Sequence, residues 1–309
     1  MKRAILHIGY PKSASTWFQS GFYPQLEEFD YIPQKTVREA LLKGQSPEFN
    51  AERARRIIAE ATDSDYVALC KEGLSGDPKN GGNWGGLTPE TVAERLWTVF
   101  GEKGEVVLLI RNQFSALVSA YGQYLRRGGS LHPRRYILPA GLVPGGAVNG
   151  TALDLQHFDY HRLITRYEAL FGDARVHVFA YEQLAEDPRA FLRAFAERLD
   201  LNSVPEVSLR RRNTGYGRNI YISARWLNRL GAGRTPAQGR HLPILPHRIR
   251  QTILDGCGRL PFTGKPPELA WLVGPGAKET LAEHFGEGNR RLARRRDLPL
   301  ERFGYPGLR

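Results

Sequence analysis

Near the start of the chain a lysine stands among small hydroxyl residues: Tyr10-Pro11-Lys12-Ser13-Ala14-Ser15-Thr16-Trp17. Lys12 supplies a full positive charge, and Ser13, Ser15 and Thr16 supply hydroxyl donors. At the start of a helix such a set binds an anion, because the first helical N–H groups lack internal partners and the helix dipole is positive there. The chemistry it suits is the holding of a phosphate or phosphosulfate, with the lysine neutralising charge on a leaving oxygen. An ordinary strand–turn–helix with a surface lysine is the competing reading. A second candidate set is Lys71-Glu72-Gly73, where Glu72 is the first choice for a general base and His7, His132, His157 and His161 are rivals. A third is Arg111, with Ser119 eight positions on. Arginine offers a planar fork to phosphate oxygens and serine offers one donor, which suits a second anion site.

These residues need elements to position them. Ala4-Ile5-Leu6 reads as a buried strand, and Trp17, Phe18, Phe22 and Tyr23 are spaced like one face of a helix. Tyr66 to Cys70 and the continuously apolar Val106 to Ile110 read as further core strands. Lys71-Glu72 and Arg111 therefore fall beyond the carboxyl ends of strands, where open parallel sheets bind ligands. Asn50 caps a helix over 51–61, and Thr88-Pro89-Glu90 starts another. The pattern predicts one short helix within 26–50, a helix from Phe114 stopped by Gly128-Gly129, and a helix over 156–171. Val176 to Ala180 reads as a strand, and Asp187-Pro188 opens a helix. Strands alternate with helices through residues 4–200, the pattern of an α/β fold with a doubly wound parallel sheet. Residues 201–309 read as mostly helical with thin apolar content. We expect one domain over 1–309, with a nucleotide-binding core over about 1–200 and a covering region over about 201–309. The glycine-rich 73–87, with Trp84, and the Gly/Pro-rich 129–152 read as loops.

Lys plus Arg number 44 against 32 Asp plus Glu, a net charge of +12. That suits an anionic partner, and equally a solvated basic surface. The two cysteines, Cys70 and Cys257, build no disulfide framework and no zinc spacing. His157 and His161 at i, i+4 read as a helix-surface pair, so no metal is expected. The apolar N-terminal run is too short for a signal peptide, and Val106 to Ile110 is too short for a membrane span. The expectation is a soluble, cytoplasmic protein.

A Walker A loop needs a glycine before its lysine, and here Gly9 is the only glycine of the stretch. The loop instead resembles the Tyr-Pro-Lys-Ser-Gly-Thr-Thr-Trp loop of the sulfotransferases that use 3′-phosphoadenosine 5′-phosphosulfate (PAPS), with Ala14 in place of glycine and Ser15 in place of threonine. Arg111-Asn112-Gln113 followed by Ser119-Ala120-Tyr121 is similar to the family's second motif, with Gln113 in place of proline. The resemblance implies a P-loop-like three-layer fold, with a central, mainly parallel sheet flanked by helices and a mostly helical C-terminal part. It implies PAPS as co-substrate, no metal, and sulfuryl transfer to a hydroxyl or amine. It places Pro11, Lys12, Ser13, Ala14, Ser15, Thr16 and Trp17 around the phosphosulfate, and Arg111 and Ser119 on the 3′-phosphate. Tyr181 would touch the adenine, though it reads equally as a core tyrosine. Arg211 and Arg212, in the run Arg210 to Asn213, would close over the 3′-phosphate, though a solvated basic run is the plainer reading.

Leu6-His7-Ile8-Gly9, Lys71-Glu72-Gly73-Leu74-Ser75 and Glu287-Gly288-Asn289 with Leu292-Ala293 resemble the bacterial carbohydrate-type members. The acceptor expected from this is a glycan or other polyhydroxylated molecule. No nucleic-acid partner is expected, and the oligomeric state is left open. Two other classes compete: a P-loop-type kinase, which wants a Walker glycine and a Mg²⁺-binding acid, and a non-catalytic polyanion-binding protein, which explains the charge but not two ordered anion motifs.

Overall fold

The structure is a computed structural model that describes residues 1–44, 48–78, 87–138, 142, 153–207, 216–230, 247–257, 263–296 and 298–308. Five strands form one parallel sheet: β1 Arg3–His7, β2 Asp30–Ile32, β3 Tyr66–Cys70, β4 Gly104–Ile110 and β5 Val176–Ala180, in the order β2-β3-β1-β4-β5. The helices in chain order are α1 Ser15–Trp17, α2 Gln34–Leu41, α3 Ala51–Ala59, α4 Pro89–Phe100, α5 Gln113–Arg126, α6 Pro133–Ile137, α7 Tyr160–Phe171, α8 Tyr181–Glu186, α9 Pro188–Arg198, α10 Arg218–Arg229, α11 His247–Cys257, α12 Leu269–Val273 and α13 Pro275–Arg295. The chain divides into two compact units, one of residues 1–112, 156–210 and 285–309, the other of 113–155 and 211–284.

The first unit holds the whole sheet, and its core shows why the strands read as apolar runs. Alternate residues serve opposite faces. Ile5, Ala68, Cys70, Val107, Leu109 and Phe179 pack on one side with Phe18, Phe22 and Tyr23 and with Phe191, Leu192 and Phe195 of α9. The other side carries α4 and α7, which contact β4. Three layers result, with every sheet residue from Val106 to Ile110 fully buried. A Phe18→Ala truncation in such a core costs about 3–5 kcal/mol.

The caps read from sequence are in place. Asn50 accepts from the Arg53 N–H at 2.8 Å, Thr88 from Thr91 at 3.1 Å, and Asp187 from Arg189 and Ala190 at 3.0 Å. Some elements differ from the sequence reading. Residues 26–50 hold a strand, β2, as well as α2. The helix expected over 156–171 begins at Tyr160, where Asp159 caps it, after a 3-10 turn over Leu155–Phe158. His157 therefore lies in that turn, buried against Tyr10, and does not share a helix surface with His161. The stretch 129–152, read as a loop, holds α6 over Pro133–Ile137; most of the rest of it, and most of 73–87 including Trp84, lies outside the described residues.

β1 is the centre of the sheet. His7 pairs with Cys70 on one side and Val107 on the other. The chain passes from β1 to β2 and β3 on one side and then to β4 on the other. This reversal opens a crevice at the carboxyl end of β1, the usual ligand position in such sheets.

Candidate functional site

The loop after β1 enters that crevice. Gly9 sits so close to the His7 ring that a Cβ would stand 2.9 Å from Nε2, which no larger residue tolerates without displacing the ring. His7 is fully buried and its Nδ1 lies 2.9 Å from the Tyr23 hydroxyl. Beyond Gly9 the backbone changes hand. Lys12 has φ 72° and Ala14 has φ 62°, while Ser13 between them stays on the negative side. Alternation of this kind turns successive N–H groups toward one point, a concavity that suits an anion. A left-handed non-glycine residue costs roughly 1–2 kcal/mol, so the loop holds strain at two positions. A glycine would meet the need at position 14 without that cost; here alanine adopts the same hand.

The helical run then begins. α1 continues as a wider turn over Phe18–Phe22 and a 3-10 turn over Tyr23–Gln25. No side chain caps the start of α1. The Trp17 N–H donates to the Ala14 carbonyl at 2.8 Å. The Ser13 hydroxyl is fully buried and has no hydrogen-bond partner among the described residues. A buried polar group of this kind is costly unless something completes it. Thr16 is exposed, Pro11, Lys12 and Trp17 are half-buried, and Trp17 stacks on Phe22.

Two neighbouring strand ends meet the loop. β4 runs on to Ile110, past the Val107 that pairs with His7, so Arg111 arrives beside the loop. Its Nη1 donates to the Lys12 carbonyl at 2.9 Å. Its guanidinium lies over the Tyr181 ring, 4.9 Å from the centroid, and its own carbonyl accepts from the Tyr160 hydroxyl at 2.6 Å. From the other side, β3 ends at Cys70, Lys71 stays extended, and Glu72 opens a 3-10 turn. The Ser15 hydroxyl donates to the Glu72 carboxylate. Ser75 ties the same turn to both the Glu72 carbonyl, at 2.8 Å, and the Gly9 carbonyl, at 3.4 Å. Lys71 is half-buried, and burial with nearby Arg38 lowers its pKa.

The structure thus brings Lys12, Ser13, Ser15, Glu72, Arg111 and Tyr181 to one end of the sheet. Ser119 lies half-buried on α5, in the other unit. Arg211 and Arg212 lie outside the described residues. Of the rival bases, His7 and His157 are buried, and desolvation holds each at about 3, so both stay neutral inside the core. His132 caps α6 through Nδ1, and burial and then Arg225, Arg134 and Arg135 lower its pKa. His161 is half-exposed on α7.

Sequence reading passed over several supports. The Asn112 N–H donates to Glu182 at 2.9 Å, while its side-chain amide donates to the carbonyls of Phe303 and Gly304. Tyr305 donates to the other Glu182 oxygen at 3.0 Å. These bonds fasten the C-terminal segment to the end of β4. The sequence signals for them are Asn112 in the Arg111-Asn112-Gln113 motif and Glu182 beside Tyr181 directly after a strand. Asn289, noted for its resemblance, donates to the Pro306 carbonyl at 2.9 Å, and a Cβ on Gly288 would stand 2.9 Å from the Asp159 carboxylate. Both serve the packing of α13. Among the described residues no three His, Cys, Asp or Glu side chains gather as metal ligands, and no helix is long and apolar enough to cross a membrane.

No protein-family model and no curated protein matches the chain. Among solved structures, a sulfotransferase from Alicyclobacillus acidocaldarius overlays with a TM-score of 0.48 at 16% identity, over 67% of this chain and 84% of that one. The sulfotransferase domain from the curacin biosynthetic pathway overlays with a TM-score of 0.38 at 14% identity, over 86% of this chain and 99% of that one.

Proposed function

We propose that this protein is a PAPS-dependent sulfotransferase that moves a sulfuryl group to a hydroxyl, or an amine, of a glycan or other polyhydroxylated acceptor. The observation that carries the reading is the loop at the end of β1: alternating backbone hand at Lys12, Ser13 and Ala14, a buried Ser13 hydroxyl with no partner among the described residues, and Arg111 bonded to the Lys12 carbonyl. An anionic group on the nucleotide would complete the Ser13 hydroxyl, so the residues present fit it.

PAPS supplies a sulfuryl group on a phosphate leaving group. Residues from Pro11 to Trp17 hold that end of the nucleotide, and Lys12 neutralises charge on the departing oxygen. Arg111 and Ser119 are assigned to the 3′-phosphate and Tyr181 to the adenine, with Arg211 and Arg212 as further cations. Glu72 takes the proton of the acceptor hydroxyl, and Ser15 orients its carboxylate. No metal has a part in this assignment.

Incubation with isotope-labelled PAPS and a panel of glycans, phenols and amines tests the reading. Transfer of label to a polyhydroxylated acceptor is the expected result. Transfer of phosphate from ATP, with none of sulfate from PAPS, would replace it with the kinase reading.

A further inference from the structure

The net charge is unevenly shared between the two units. The unit of residues 113–155 and 211–284 carries 16 Lys and Arg against 5 Asp and Glu, a net +11, whereas the sheet-bearing unit carries 28 against 27. The same unit exposes apolar side chains in a regular pattern. On α10, Ile222 and Trp226, with Leu230 just beyond its end, recur every four residues, exposed to 49%, 58% and 40%. On α11, Ile249 and Ile253 do the same.

Helices that pack on a core carry one apolar face and a polar opposite face. α10 has its core face in Ile220, Tyr221, Ala224 and Asn228, all buried. Its outward side nevertheless carries an isoleucine, a tryptophan and a leucine. α11 goes further: it buries Arg250, which donates to Asn228 at 3.2 Å, and exposes Ile249 beside it. Single exposed hydrophobics are ordinary. Five of them on two helices that pack against each other, within the strongly basic unit, are not. At Trp226 the two features coincide, because the Arg229 guanidinium lies 4.4 Å from its ring centroid.

We infer that α10 and α11 form a docking face for an anionic lipid surface. Basic side chains complement lipid phosphates, while Trp226 and the aliphatic residues enter the headgroup region, the arrangement by which amphipathic helices lie in a membrane interface without crossing it. A soluble polyanion accounts for the charge alone. Its chain gains nothing from Ile222, Leu230, Ile249 and Ile253. The inference is independent of the sulfotransferase reading, since none of the α10 and α11 residues it names is assigned to PAPS; Arg211 and Arg212 enter only the total charge of the unit.

The test is co-sedimentation of the full chain with phosphatidylcholine vesicles, with and without phosphatidylglycerol. Binding to the anionic vesicles should exceed binding to the neutral ones by about tenfold or more, and should fall with salt. The exposed-site variant Ile222→Ser/Trp226→Ser/Ile253→Ser should keep its thermal stability and lose about tenfold or more in vesicle binding. Arg229→Gln should lose about fivefold. Absence of binding by the wild-type chain to anionic vesicles overturns the inference. So does a triple variant that binds as well as the wild type, because the face would then serve soluble polyanions or none; heparin binding unchanged in that variant identifies the former.

Discussion

The Ser15 hydroxyl donates to the Glu72 carboxylate, joining the first turn after the anion loop to the turn that closes β3. The bond places a carboxylate beside the loop that carries Lys12. On the proposed reading, a phosphate drawn into the loop would compete with the Glu72 carboxylate for the Ser15 hydroxyl.

Glu72→Gln keeps the size of the side chain and removes the basic carboxylate. With Glu72 as base, turnover should fall on the order of a hundredfold or more, nucleotide affinity should change little, and the acidic limb of the pH–rate profile should disappear. Ser15→Ala should lower turnover less and preserve that limb. Steady-state rates across pH with direct nucleotide titration separate these outcomes; survival of the limb in Glu72→Gln would assign the base elsewhere.

Lys12→Ala should reduce turnover by roughly two to three orders of magnitude while weakening nucleotide binding less. Near-normal turnover with only weakened binding would assign Lys12 to ground-state binding.

Much of the fold was legible because burial wrote it into residue types. Apolar runs mark the strands, 4–6 in β1, 67–70 in β3, 106–110 in β4 and, broken only by His177, β5, and Asn50, Thr88 and Asp187 stand where helices start. β2 was not legible: it has three residues, of which only Ile32 is buried, too few for any alternation. α6 and α8 span about one turn each and show no period. In the site, Lys12 and Arg111 were legible as cations after strands. The bond from Arg111 to the Lys12 carbonyl was not, because a backbone acceptor leaves no mark on residue type. Nor could spacing reveal that His157 is buried beside Tyr10, since the 3-10 turn before α7 breaks the helical count.

Ala14 holds a left-handed conformation that glycine adopts freely. Ala14→Gly should relieve roughly 1–2 kcal/mol of strain, offset by about 0.5–1 kcal/mol from the freer unfolded chain. The net change should be neutral to slightly stabilising, whereas Ala14→Val should destabilise by more than about 1 kcal/mol. Denaturant unfolding of both variants measures this. A glycine variant weaker by more than about 1 kcal/mol would contradict the strain.

Glu105 on β4 should contribute to acid sensitivity. Burial pushes its carboxyl up, but the neighbouring His177 and the hydrogen-bonded Arg3 outweigh that and hold it at about 2. Arg3 Nε lies 2.6 Å and His177 Nε2 3.3 Å from its oxygens. A carboxylate held below its unfolded value stabilises the fold above the unfolded pKa, and that stability is lost as pH falls from there through about 2. Discounted for solvent screening, the contribution is on the order of 1–2 kcal/mol. Glu105→Gln should therefore be less stable than wild type by that amount near neutral pH, with the gap closing toward pH 2. A gap independent of pH would remove the ionic role.

The most direct test of the proposed activity is thermal unfolding with 3′-phosphoadenosine 5′-phosphate or with ADP, which lacks the 3′-phosphate. A ligand that binds only the folded chain should stabilise it by about 3 kcal/mol at a hundredfold excess over its dissociation constant. That shift is expected for 3′-phosphoadenosine 5′-phosphate, with a much smaller one for ADP at the same concentration and a loss of the difference in Arg111→Ala. Equal stabilisation by both nucleotides, or by neither, would contradict the proposed activity.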